Sequence, residues 1–222
     1  MKNTLLCSML LAFAGASSTV QAQAAKPAAP ATAAIETKVA MCIGCHGIKG
    51  YQASFPEIHK VPMISGQSGK YIVAALNAYK KGERKHPTMR SIAASLTERD
   101  MADIAAYYEQ HGKDPAALPE QAAAAPVDVA ALLTKGACDS CHGKNFSKPI
   151  DASYPKLAGQ HADFLYVALK AYKTEGNPQV GRGNAIMGGQ VKQFSNAELK
   201  SIAHYLASLP SELHTVPQSK FR

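Results

Sequence analysis

Strand alternation is missing from this 222-residue chain. No segment alternates apolar and polar residues at period two for long enough to form a half-buried strand. What periodicity there is follows the helix, so the fold class is all-α. Beyond the first two dozen residues no apolar run is long enough to span a bilayer. No basic cluster is interleaved with stacking aromatics, which excludes nucleic acid as a partner. No Ser/His/Asp set, carboxylate pair or Gly-rich phosphate loop accompanies the most distinctive motifs, so nothing marks the chain as an enzyme. Cysteine is scarce as well. Of five, four fall in two short motifs and the fifth, Cys7, lies near the start of the chain. None is left over for a disulfide.

What is present is a five-residue motif used twice: Cys42-Ile43-Gly44-Cys45-His46 and Cys138-Asp139-Ser140-Cys141-His142. Each reads C-x-x-C-H, with two thiols one helical turn apart and an imidazole directly after the second. That arrangement suits covalent attachment of a c-type haem. Two thioether bonds hold the porphyrin edge, and the histidine Nε2 binds iron. A thioredoxin-like redox pair needs a βαβ context that is absent. A zinc site needs a second ligand pair nearby, and the other C-x-x-C is far along the chain. The expected cofactors are therefore two covalently bound haem c groups.

Residues 1–24 read as a signal peptide. Lys2 supplies the positive start, Leu5 to Ala16 the short apolar core, and Val20-Gln21-Ala22 or Ala22-Gln23-Ala24 the small residues for cleavage. Cys7 would leave with it. An exported chain with two haem motifs fits the bacterial periplasm. After an Ala/Pro-rich leader, residues 25–112 form a first domain, 113–125 an Ala/Pro-rich linker and 126–222 a second domain. Domains of this size are near the lower limit of self-sufficiency. A buried haem in each would supply much of the missing apolar core.

The repeat extends past the motifs. Pro62-Met63-Ile64-Ser65-Gly66-Gln67 matches Pro155-Lys156-Leu157-Ala158-Gly159-Gln160. A helix is expected after each, over Tyr71 to Lys81 and Phe164 to Thr174, then a Gly/Pro-bearing loop holding Met89 or Met187. Thr97 to Asp100 and Ser195 to Glu198 form capping boxes for a last helix. Met101, Ile104, Ala105 and Tyr108, and likewise Leu199, Ile202, Ala203 and Leu206, form its apolar face. Short helices are also expected before each haem motif, from about Ile35 and Asp128.

A haem iron held by one histidine has a sixth position to fill, and methionine's soft thioether favours reduced iron. Met187 is the single methionine of the second domain, and only Met89 matches it in the first. Met41 aligns with Ala137, Met63 with Lys156 and Met101 with Leu199. His46 and His142 are thus the proximal ligands, and Met89 and Met187 the distal ones. The remaining histidines have no partner at the matching position; His86, three residues before Met89, is the closest rival. Pro62 and Pro155 offer carbonyls that could accept from the histidines' other ring nitrogen, fixing the ring and raising its basicity.

The signal peptide, the two C-x-x-C-H motifs, the twice-used P-x-[IL]-x-G-Q segment, the paired methionines and the Tyr-bearing last helices together resemble the dihaem cytochrome c4 family over nearly all of the mature chain. The resemblance implies two small class I cytochrome c folds, packed about a pseudo-twofold axis with the haem propionates near the interface. It implies a carrier of single electrons between redox proteins. A haem–copper terminal oxidase is the expected acceptor, and a quinol-oxidising or dehydrogenase complex the expected donor. The alternative is a dihaem subunit of a dehydrogenase such as flavocytochrome c sulfide dehydrogenase. In two places the chain departs from the family pattern, around Phe55 to Val61 and from Gly176 to Ala185. Both are expected near a haem or a partner surface.

The formal charge is +8, and each domain carries +4 once Lys2 and the slightly acidic linker are set apart. Haem propionates offset part of this. What remains would steer the protein toward an acidic face or let it associate peripherally with anionic lipid.

Overall fold

The computed structural model describes residues 31–111 and 117–217, with side chains from residue 35. The segment expected to be a signal peptide and part of the expected linker lie outside them. The first half runs α1 (Ala31–His46), β1 (Gln52–Ala53), β2 (His59–Lys60), α2 (Gly69–Lys81), β3 (Arg84–Lys85), α3 (Pro87–Ala94) and α4 (Glu98–Gln110). The second runs α5 (Val127–Lys135), α6 (Cys138–His142), α7 (Ala162–Ala171), β4 (Gly181–Arg182), α8 (Ala185–Lys192) and α9 (Asn196–Ala207). The architecture is helical, as the periodicity implied. Its strands are two-residue pairings, too short for alternation to register.

The last helix of each half begins where the sequence placed it. The Thr97 and Ser195 side chains accept from the N3 backbone, and Asp100 and Glu198 reach back to the cap residue's own N–H. From there Met101, Ile104, Ala105 and Tyr108 are buried, as are Leu199, Ile202, Ala203 and Leu206. The first helix of each half lies against this last helix, α1 on α4 and α5 on α9, while α2 and α7 cover it from the other side. Two cores result, one centred on Val39 and Met101 and the other on Leu199. Met101 is filler, completely buried.

The halves differ at the haem motif. In the first, α1 runs unbroken through Cys42 to His46. In the second, the chain breaks at Gly136 and Ala137, the latter at φ 44°, before α6 resumes. A side chain at Gly136 would meet the Cys138 sulfur and the Phe194 ring at 3.0 and 3.1 Å. Apolar, Ala-rich periodicity before the second motif does not register this break.

The glycines of the P-x-[IL]-x-G-Q segments explain why that motif recurs. Gly66 and Gly159 sit at φ 81° and 68°. Their N–H groups donate to Tyr108 and Leu206 near the ends of the last helices. A Cβ at Gly66 would lie 2.0 Å from the Glu212 carbonyl oxygen, and one at Gly159 2.2 Å from the Ser211 Cβ. Only glycine fits both the backbone and the space. Gly159→Ala should lower the unfolding free energy by roughly 3 kcal/mol or more, read from denaturant unfolding of the holoprotein.

The segments around Phe55 to Val61 and from Gly176 to Ala185 pack against the opposite half. At β2, Lys60 donates its backbone N–H to Asp163 at 3.0 Å, and Glu57 pairs with Lys170. β3 and β4 join the halves as an antiparallel pair in which Arg84 faces Arg182, and Lys85 Nζ reaches the Asn177 carbonyl at 2.8 Å. These segments were expected beside a haem or a partner; in the structure they help hold the halves together.

Candidate haem sites

α1 and α6 each end on the haem motif, so in both halves the histidine sits in the last helical position. His46 Nδ1 lies 2.8 Å from the Pro62 carbonyl and His142 Nδ1 3.2 Å from that of Pro155. A carbonyl only accepts, so Nδ1 carries the proton and the Nε2 lone pair is left for a metal. Burial pushes both imidazoles below their ordinary pKa, against the opposing pull of the carbonyl, and this favours the neutral form that ligates.

The thiols are not tuned for redox exchange. Burial raises Cys42 and Cys138 to about 11, so neither is a thiolate at neutral pH. A thioredoxin-like pair works through a thiol pushed the other way. Among the described residues no three His, Cys, Asp or Glu side chains converge to hold a metal ion, which leaves the zinc reading without a ligand set.

The methionines are on helices. Met89 and Met187 were expected in loops, because Pro87, Gly188 and Gly189 interrupt the pattern. Each is instead the third residue of a short helix, α3 or α8. The helices are started by a cap: Met187 N–H donates to Asn184 Oδ1 at 2.9 Å, and Met89 N–H to His86 Nδ1 at 3.4 Å. His86 and Asn184 hold equivalent positions, so His86, the rival ligand, has a structural task. Met89 packs on the same core as Cys42, and Met187 on the same core as Cys138. Met41 is exposed.

The residues fit a haem in each half. Each half offers an imidazole whose Nδ1 faces a proline carbonyl, two cysteines one turn apart, and a half-buried thioether packed with the first cysteine against its core. In the first half the buried Tyr108 hydroxyl lies beside the Cys42 thiol, and burial pushes that hydroxyl's pKa up.

Sequence reasoning missed two arginines. The Arg84 guanidinium lies over the Tyr71 and Tyr79 rings at 5.2 and 5.7 Å, and that of Arg182 over Phe164 and Tyr172 at 5.6 and 5.5 Å. Neither pairs with a carboxylate among the described residues. Both precede their methionine by five positions, with aromatics at matching places: Tyr71 and Tyr79 on α2, Phe164 on α7 and Tyr172 just after it. That shared spacing was the signal to look for.

A family model described as Cytochrome c matches residues 33–111 and, a second time, 127–210. Over 197 residues the chain is 31% identical to cytochrome c4 of Thiocapsa roseopersicina, covering 84% of this chain and 97% of that one. The chain belongs to the cytochrome c4 family. It is also 31% identical over 195 residues to the thiosulfate dehydrogenase electron acceptor of Thiomonas intermedia (strain K12), across 82% of this chain and 85% of the relative. The solved structure of Acidithiobacillus ferrooxidans cytochrome c4 superposes with a TM-score of 0.58 at 25% identity, covering 77% of this chain and 99% of that one. Two cytochrome c units imply two covalently bound haem c groups, and the function is electron transfer rather than catalysis. Among the described residues no helix is long and apolar enough to cross a membrane.

Proposed function

We propose that this cytochrome c4 relative works in the bacterial periplasm, where it takes single electrons from a dehydrogenase or quinol-oxidising complex and passes them toward a haem–copper terminal oxidase. In this reading residues 1–24 are the export signal, and 25–112 and 126–222 the two haem domains joined by 113–125. Cys42 and Cys45, and Cys138 and Cys141, bond the haems. His46 with Met89, and His142 with Met187, would ligate the two irons, while Pro62 and Pro155 would orient the histidines. A bound haem c of this kind supplies one-electron exchange between ferrous and ferric iron. The chain's contribution is to hold the imidazole, bury the porphyrin and choose the ligand that sets its potential. Arg84 and Arg182, at the junction of the halves and without carboxylate partners among the described residues, are suited to the haem propionates.

The observation that carries this reading is the equivalence of the two halves. Each places its histidine on a proline carbonyl and its methionine on a capped helix against the same core as the first cysteine. Two closed sites of one kind suit a relay, not a substrate pocket.

The similarity to a thiosulfate dehydrogenase electron acceptor favours a dehydrogenase as donor. With +4 on each half, the protein would meet acidic partner faces or anionic lipid faster at low salt. Oxidation of the reduced protein by oxidase-containing membranes, followed in a stopped-flow cell, should slow by about tenfold from low to high ionic strength. A rate independent of salt would remove the steering. No oxidation by such membranes would remove the oxidase as acceptor.

A further inference from the structure

Gln67 and Gln160 end the two P-x-[IL]-x-G-Q segments, and both are buried. Each reaches across to the other half. Gln160 accepts from the Met63 N–H at 3.0 Å and donates to the Met63 carbonyl at 2.9 Å. Gln67 accepts from the Lys156 N–H at 3.0 Å and donates to the Lys156 carbonyl at 3.1 Å. The pair is reciprocal, since Met63 and Lys156 hold equivalent positions. Each carboxamide oxygen also accepts from the next residue of its own chain, Ser68 or His161, at 3.0 Å. With N–H donors converging on one atom of the carboxamide, that atom must be the oxygen.

The residues clamped follow the prolines directly. The Met63 N–H and the Pro62 carbonyl belong to one peptide group, and that carbonyl faces His46 Nδ1. The Lys156 N–H and the Pro155 carbonyl likewise share a peptide group, which faces His142. A peptide whose N–H is engaged becomes a better acceptor at its oxygen, because hydrogen bonds in a chain polarise one another. A stronger acceptor at Nδ1–H makes the imidazole more basic toward the metal. From these contacts we infer that Gln67 and Gln160 are positioning residues that tune the haem of the opposite half: Gln160 through Pro62 and His46, Gln67 through Pro155 and His142. The interface between the halves is thereby wired into both proximal ligands. This rests on His46 and His142 as iron ligands.

The test uses the dihaem holoprotein, reduced and labelled with ¹⁵N-histidine, alongside a redox titration. In the wild type, His46 and His142 should each give a slowly exchanging Nδ1–H resonance displaced by the haem ring current. In Gln160→Leu the His46 resonance should move upfield and exchange faster, with His142 unchanged. One reduction equilibrium constant should rise roughly threefold, about 28 mV at about 59 mV per tenfold for one electron. Gln67→Leu should give the mirror result at His142. Ser68→Ala removes a different contact between the halves, to the Ala152 carbonyl at 2.5 Å, and should move neither resonance. A response in the variant's own half, in both halves or in neither would overturn the inference. If the leucine variants do not fold, amide exchange of the wild type decides: protected Met63 and Lys156 N–H groups uphold the clamp, and rapid exchange refutes it. Absence of the displaced histidine resonances from the wild type would instead remove the ligand reading, and the tuning with it.

Discussion

Replacing Met187 with alanine should lower the potential of one haem on the order of 0.1–0.3 V and leave the other in place, within the range of about 0.8 V that axial ligands span. The second half contains no other methionine after Asp128, so no thioether stands ready to substitute. Its backbone is pinned by the Asn184 cap, and its side chain packs with Cys138 against the Leu199 core. Alanine keeps the helix and removes only the sulfur. Ferric iron bound to thioether shows a weak charge-transfer band at the red end of the spectrum, and this band should fall to about half as one of two equivalent sites is lost. Met89→Ala should do the same from the other side. An unchanged band and unchanged potentials in Met187→Ala would show that another group fills the sixth position.

Removing the attachment thiols should have a larger structural effect. Cys138→Ser with Cys141→Ser should give a chain whose mass is short by one haem. The second half should lose the slow amide exchange of α7 and α9. Each half is small, and its first cysteine and its methionine pack against a core of about ten buried residues. A group bound only by the folded state stabilises it by mass action, and a covalent one cannot dissociate, so its loss should cost several kcal/mol. The first half should keep its own haem spectrum. A double-serine variant with native helical content and undiminished exchange protection would mean that the polypeptide core suffices alone.

The parts of the fold legible in the sequence were those set by local chemistry. The capping boxes at Thr97 and Ser195 start their helices as read, because a cap acts within four residues. The i, i+3, i+4, i+7 sets on α4 and α9 bury as read, because periodicity reports one face. The methionine helices were not legible. Pro87 occupies the first turn of α3, where proline is tolerated, and Gly188 and Gly189 weaken propensity without forbidding a helix that is capped and packed. The pairing of Arg84 with Arg182 and the crossing of Gln67 and Gln160 depend on how two halves dock. Side chains distant in sequence decide that, and a single sequence shows them only as matching positions in a repeat.

The same distinction applies to the sites. The haem motifs, the prolines beside them and the paired methionines could be named from residue type and spacing. What spacing could not supply was that the peptide supporting each histidine is held by a glutamine from the other half.

The most direct test of two equivalent, closed electron-transfer sites is a spectropotentiometric titration of the purified protein at neutral pH, with electrons counted against the thioether charge-transfer band. Two reversible one-electron steps per chain should appear, each removing about half of the band. Uptake of a single electron, or a step that leaves the band untouched, would contradict it.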